Sequence, residues 1–300
     1  MSEQTTTGVT LPVITEAGTT RARRRTSNRS PRVATVLAWG YALISVYPLL
    51  WLLVQSFRKD ADILGDPWGF PTSTSFAGYV KAFQTTPLPQ YFLNSLLVTV
   101  AVVALSVVCC AGAGYAFSRL RFPGSRALFL TFIGVLVIPA PVLLLPVFLI
   151  SKDLGILNSY IGLIGPYAAG TLPIGVYLMK THFDELPDSY IEAAALDRAT
   201  PFQTFRLIML PLIRPAAATV AVLAFMAAWN EYIYALVAMS TPTLFTLPIG
   251  LADLSSKRFL YGYAPVFAGM VMAAVPVYAA FVLAQRSFLT SFQLGGGVKG

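Results

Sequence analysis

Charge is what this sequence has least of. Of its 300 residues, 21 are Lys or Arg and 13 are Asp or Glu, so 11% are charged while 56% are hydrophobic. A soluble domain of that composition would leave far too much apolar surface in water. Histidine occurs once, at His182, and cysteine twice, at the adjacent Cys109 and Cys110. That scarcity excludes a disulfide framework and a His/Cys metal cluster. Neighbouring cysteines rarely pair with each other, so both are expected to be small packing residues inside a helix. His182 has no partner at ligand spacing and is expected at a helix end. No G-x-x-x-x-G-K-[ST] phosphate loop occurs, and the terminal "GGGVKG" lacks its spacing. No fixed-period repeat is visible, and nothing marks a separate soluble domain.

What the chain has instead is long apolar runs. Crossing a bilayer takes about 20 apolar residues at about 1.5 Å each. Six runs qualify, roughly 33–57, 92–118, 127–150, 159–181, 212–239 and 263–285. In lipid, the backbone of such runs must satisfy its own hydrogen bonds, which makes them helices. The expected organisation is a basic tail over residues 1–32, a transmembrane domain over 33–290 and a second tail over 291–300. The first tail is rich in Thr, Ser and Arg without apolar periodicity and reads as disordered. It is not expected to be a signal peptide, because the following apolar run is too long and no small-residue cleavage site follows it. Five arginines within nine residues beside a first span suit anionic lipid. With no folded basic domain behind them, nucleic-acid binding is not expected.

The position of the 21 cations orients the chain. If the tail lies inside and six spans alternate, 15 cations fall inside. They include Arg119, Arg121, Arg126, Lys180, Arg198, Arg206 and Arg214. Six fall outside: Arg58, Lys59, Lys81, Lys152, Lys257 and Arg258. This asymmetry follows the positive-inside rule and predicts both termini in the cytoplasm.

Two spans carry breakers: Pro139, Pro141 and Pro146 in the third, and Gly162, Gly165, Pro166, Gly170 and Pro173 in the fourth. The fifth carries Ala217, Ala221, Ala224, Ala228, Glu231 and Ala235 at spacings of four and three, which places them on one helix face. Small residues let helices approach closely, so this face should look into protein. A similar stripe, Gly269, Ala273, Pro276, Ala280 and Ala284, marks the sixth span. Glu231 is the one acidic residue inside a span. It reads either as a polar group on a substrate path or as an interhelical hydrogen-bonding residue.

Between the fourth and fifth spans lies "EAAALDRATPFQTFRLIMLP" (192–211), on the predicted cytoplasmic side and unexpectedly polar. Pro187 suits a first helical turn, so "PDSYIEAAALD" reads as a short helix. Thr200, Pro201 and Gln203 have capping-box spacing and start a second helix, expected to stop before Pro211. The result is a helix–turn–helix knob over 184–211. Its acidic first helix does not suit a membrane surface. It offers Ala193, Ala194, Ala195 and Leu196, and small side chains suit docking in a groove of a protein partner.

The knob resembles the EAA loop of inner-membrane permeases from ATP-binding-cassette importers. "YFLNSLLVTV", "GYAFSRLRFPG", "LGILNSYIGLIGPYAAGTLPIGVYLMK" and "WNEYIYAL" are similar to the carbohydrate-uptake, maltose-type branch, over nearly the whole chain after the tail. The resemblance implies an all-α polytopic membrane protein with six transmembrane helices and the type I ABC importer permease fold. It implies a sugar-importer subunit in a bacterial inner membrane, without catalysis of its own. Its partners would be a second homologous permease, two ATPase subunits, an extracytoplasmic solute-binding protein and membrane lipid. This chain would bind no cofactor, with ATP and Mg held by the ATPase. The ATPase-coupling candidates are Glu192, Ala193, Ala194, Asp197, Arg198, Thr200 and Pro201. The substrate-path candidates are Asn230, Glu231 and Tyr234. Arg198 stands where the family usually has glycine, so its turn is either left-handed and strained, or remodelled. An importer of another solute is the nearest alternative. An ion-coupled secondary transporter would need inverted repeats and more intramembrane charge. A membrane enzyme would need clustered His, Asp or Glu at membrane depth.

Overall fold

The computed structural model describes residues 31–70 and 74–296. Most of the tail read over 1–32 therefore lies outside the described residues, as do 297–300 at the other end. Among the described residues every regular element is helical. Four helices are long and apolar enough to cross a membrane, and two bent helix pairs raise the number to six if each pair is one span.

The first helix, α1 (Pro31–Ser56), begins two residues before the expected start. By its contacts the chain divides after Pro48, and α1 up to that point is a unit of its own. None of its apolar spanning window is buried. A helix that is apolar all round and unburied presents its surface to lipid or to another chain.

From Leu49 onward the second unit begins. Two short helices, α2 (Asp60–Gly65) and α3 (Ala77–Thr85), lead into α4 (Leu88–Arg119). At about 1.5 Å per residue α4 outruns a hydrocarbon core of about 30 Å, so it projects beyond it. The third apolar run is broken into α5 (Ser125–Val135) and α6 (Ala140–Asp153), bent by 109°. The prolines stand at the break: Pro139, with extended backbone at ψ 131°, is the N-cap of α6, and Pro141 lies in its first turn, where a missing N–H costs no helical bond. The fourth run is not broken. α7 (Tyr160–Asp184) passes through both Pro166 and Pro173 as one helix, since an isolated proline removes a single bond.

The core is built where α4 and α7 cross. A Cβ on Gly114 would lie 2.6 Å from the Met179 Cβ, and one on Gly175 would lie 2.4 Å from the Cys110 sulfur. Only glycine permits that approach. Cys110 is buried and both cysteines are free, in keeping with packing roles. Around them Tyr115, Val176, Met179, Phe183, Met209, Ile213 and Val220 close an apolar cluster at the knob's end of the bundle.

The connection after α7 is the knob, made of α8 (Ser189–Leu196), α9 (Pro201–Gln203) and α10 (Leu210–Leu212), with a π-helical stretch at Thr204–Met209 between the last two. The second knob helix thus continues through Pro211, where the sequence predicted a stop. The wider π turn relieves the clash that a proline ring makes with the preceding α-helical turn. A 78° bend at Ile213 leads into α11 (Arg214–Trp229).

The fifth span is shorter than expected. α11 ends at Trp229, and α12 (Ile233–Ala238) starts after a break at 230–232. The buried residues of α11 are Ala216, Val220, Ala224, Ala228 and Trp229, so of the expected stripe Ala224 and Ala228 turn inward, while Ala217 and Ala221 are half-buried at its margin. The stripe does not continue to Glu231 on one helix. α13 (Leu247–Ser256) and α14 (Arg258–Tyr261) follow, and α15 (Ala264–Gly296) ends the described chain, running into the stretch read as a tail. Gly269 and Ala284 of its stripe are buried, and the Trp229 indole donates to the Ala273 carbonyl at 3.1 Å. At the end remote from the knob, the Asp60 carboxylate caps α15, accepting from the backbone N–H of Tyr263 (2.6 Å) and Ala264 (2.8 Å).

Candidate functional site

The knob's turn is fully specified by backbone chemistry. The Ala199 N–H donates to the Ala194 carbonyl at 2.9 Å, and the Arg198 N–H to the Ala195 carbonyl at 3.0 Å. These two bonds are the Schellman closure of a helix C-terminus, which needs a left-handed residue between them. That residue is Arg198, at φ 55°. The turn is therefore not remodelled around arginine: it keeps the geometry that glycine would adopt, at a strain of about 1–2 kcal/mol. Two residues later the next helix starts. Thr200 accepts from the Gln203 N–H at 3.2 Å, and Gln203 accepts from the Thr200 N–H at 2.8 Å, the reciprocal capping box. Stop and start signals abut, which leaves the two short helices in one defined relation.

Glu192, Ala193, Asp197, Arg198, Thr200 and Pro201 are exposed on this unit. Ala194 is not. It is 2% exposed, and α8 packs on the π-helical stretch of its own chain. The small side chain at 194 thus serves closure within the knob, and no surface is left there for a partner. The large apolar side chains that the knob does expose over 184–211 are Leu196 at 85%, Phe202 and Leu207 at 67% each, and Tyr190 at 41%. Leu196 and Phe202 flank the polar turn; sequence reasoning placed Leu196 on the docking helix and passed over Phe202.

The substrate-path candidates sit together at the break between α11 and α12. Glu231 accepts from the Tyr234 N–H (2.7 Å) and the Ala235 N–H (3.0 Å), and also from the Tyr167 hydroxyl of α7. Its carboxylate caps α12 where the first turn has orphan donors. Tyr234 is buried and donates to Ser151 at 2.8 Å. Asn230 is exposed, and its amide donates to the Met226 carbonyl at 2.8 Å. Of the three, Asn230 is exposed, Glu231 half-buried and Tyr234 buried.

Further polar ties went unassigned from the sequence. The Asn94 amide donates to the Thr243 and Phe245 carbonyls, each at 2.9 Å, and its oxygen accepts from the Tyr160 hydroxyl at 2.8 Å. Asn158, at φ 54°, accepts from the N–H groups of Ser240 (3.0 Å) and Thr241 (2.9 Å). Asparagine tolerates this left-handed backbone better than most residues, the signal that its position in "LGILNSY" offered. His182 lies in the last turn of α7. Among the described residues no group of three His, Cys, Asp or Glu could hold a metal ion.

A bundle of apolar helices with a capped helix pair at one end defines a polytopic membrane protein. Residues 109–288 match the family model described as binding-protein-dependent transport system inner membrane component. The chain belongs to that family. It is 30% identical to the diacetylchitobiose uptake system permease protein of Streptomyces coelicolor, over 92% of this chain and 91% of that one. It is 33% identical to the arabinooligosaccharides transport system permease protein of Halalkalibacterium halodurans, over 90% and 98%. A chain of the crystal structure of a bacterial ABC transporter involved in the import of the acidic polysaccharide alginate superposes with a TM-score of 0.74. That match covers 85% of this chain and 95% of the other, at 25% identity. The chain has the ABC importer permease fold.

Proposed function

We propose that this chain is one of two permease halves of an ATP-driven carbohydrate importer. The carbohydrate class is drawn from the relatives, several of which are named for oligosaccharide uptake. The observation that carries the mechanism is the knob: a rigid, capped helix pair with exposed Leu196 and Phe202 at the end of an apolar bundle. Exposed apolar side chains beside a capped polar turn suit insertion into a partner's groove.

In this reading the knob faces the cytoplasm, with both termini, as the cation distribution supports. A separate pair of ATPase subunits binds ATP and Mg and closes on hydrolysis-competent nucleotide. The knob carries that movement to the spans. The unburied α1 meets lipid and the second permease. A solute-binding protein delivers the sugar from outside. The chain itself has no catalytic role. Asn230 is the substrate-path candidate with a free face. Glu231 and Tyr234 act behind it, by holding the break between α11 and α12 open.

The test is assembly. Leu196→Asp and Phe202→Asp should each cost the ATPase its hold on the purified complex while the two permeases stay together. Retention of the ATPase at wild-type levels in the double variant would sink the knob's assigned role.

A further inference from the structure

We propose that Arg119, the last residue of α4, is the positioning residue through which knob movement reaches the α4–α7 pair. This rests on the coupling role proposed for the knob. One guanidinium joins three elements. From α4 it donates to the Phe183 and Leu186 carbonyls at the end of α7, the second at 2.6 Å, and it pairs with the carboxylate of Asp188. Asp188 is the residue from which α8 starts. The side chain of Arg119 is only 10% exposed, whereas that of Asp188 is 79% exposed.

The chemistry suits a joint. The carbonyls at a helix C-terminus carry partial negative charge and lack helical partners, and a buried cation aimed at them satisfies both needs. A planar guanidinium can hold several acceptors at once, which a lysine ammonium on a flexible stem does poorly. The neighbouring groups behave differently. The Ser118 hydroxyl donates to Asp184 at 2.6 Å, and Lys180 pairs with the same carboxylate at 2.5 Å. The first bond ties α4 to α7, the second lies within α7, and neither reaches α8. With the Gly114 contact one turn above, the first makes the two spans one body at this end. Among the described residues, Arg119 is the side chain of that body that bonds to the start of α8.

The arrangement also has a donor to spare. The Arg119 Nε–H is buried and has no acceptor among the described residues. Buried donors are normally paired. A second arrangement of α8, with Asp188 displaced, has an unused N–H available to it. A joint that must work in two positions needs such a reserve.

The experiment uses the whole complex in lipid nanodiscs, in a background with Cys109 and Cys110 replaced by alanine. A single reporter cysteine replaces the exposed Asn230. Its reaction rate with a water-soluble thiol reagent is measured before and after trapping with ATP, Mg and vanadate, and ATP hydrolysis is measured in parallel. In the parent, trapping should change the rate on the order of fivefold or more, the scale of a typical coupling between sites. In Arg119→Gln, ATP should still be hydrolysed, but trapping should change the rate by less than about twofold. Arg119→Lys should recover part of the response, and Asp188→Asn should lose part of it. A purely structural role predicts instead that hydrolysis and response fall together. If Arg119→Gln does not assemble, Asp188→Asn decides, since its exposed side chain can lose its charge without opening the core. A full parental response in either Arg119→Gln or Asp188→Asn overturns the inference. Absence of any response in the parent would defeat the coupling reading itself, whatever Arg119 does.

Discussion

Replacing Arg198 by glycine should make the knob more stable, although it deletes a whole side chain. At φ 55° the arginine backbone lies in the left-handed region, which costs an L-residue about 1–2 kcal/mol. Glycine removes that cost but loses about 0.4–1 kcal/mol through its freer unfolded chain. The net gain is about 0.5–1 kcal/mol. Among the described residues nothing offsets it, because the guanidinium makes no hydrogen bond or ion pair there. The Ala199 N–H, bonded to the Ala194 carbonyl at 2.9 Å, reports on this closure. Its hydrogen-exchange protection in the purified complex should rise about two- to fivefold in Arg198→Gly, the factor that 0.5–1 kcal/mol gives. Arg198→Asn should fall between the two. Arg198→Val should lose protection, since a β-branched residue fits this backbone worst. The order Gly, Asn, Arg, Val is the claim. Protection lower in the glycine variant than in the parent would refute it, and would show that Arg198 is held by an interaction outside this chain.

Other outcomes follow from particular contacts. Glu231→Ala should destabilise the permease by about 2–4 kcal/mol, from a lost helix cap and an unpartnered Tyr167 hydroxyl; thermal unfolding would show it, and an unchanged midpoint with a raised KM for uptake would restore Glu231 to direct substrate contact. Ala194→Trp should overpack the knob by about 1–3 kcal/mol and expose it to proteolysis; normal protease resistance with selective loss of the ATPase would place Ala194 at the partner surface after all. Gly175→Leu should prevent assembly, because its Cβ alone would lie 2.4 Å from the Cys110 sulfur; a stable complex would mean that α4 and α7 are not so close. In a cysteine-free background, an impermeant thiol reagent applied to intact cells should label Thr74→Cys and not Ser189→Cys; the reverse would invert the orientation.

Much of this was legible in the sequence for one reason: membrane helices and capped turns are local. Apolar length alone located the spans, and the spacing of Thr200 and Gln203 was enough to announce the capping box they form. What stayed hidden depends on the neighbours. Proline counts did not tell that Pro139 and Pro141 bend a run by 109° while Pro166 and Pro173 leave α7 intact. Spacing put Glu231 on a continuous helix, but its own side chain ends that continuity by capping α12. Ala194 read as a docking residue for its size, which serves its own chain instead. Arg119, within "GYAFSRLRFPG", read only as one of the inside cations, since its three acceptors are more than 60 residues away and only packing brings them near.

The central claim is that this chain moves carbohydrate at the expense of ATP bound elsewhere. The most direct measurement is uptake of radiolabelled oligosaccharides into proteoliposomes holding the chain, its second permease and the ATPase, with the binding protein added outside. Accumulation should require ATP enclosed with the ATPase, require the binding protein, and persist when ionophores collapse all ion gradients. Uptake that survives without the ATPase and vanishes with the ionophores would contradict the account.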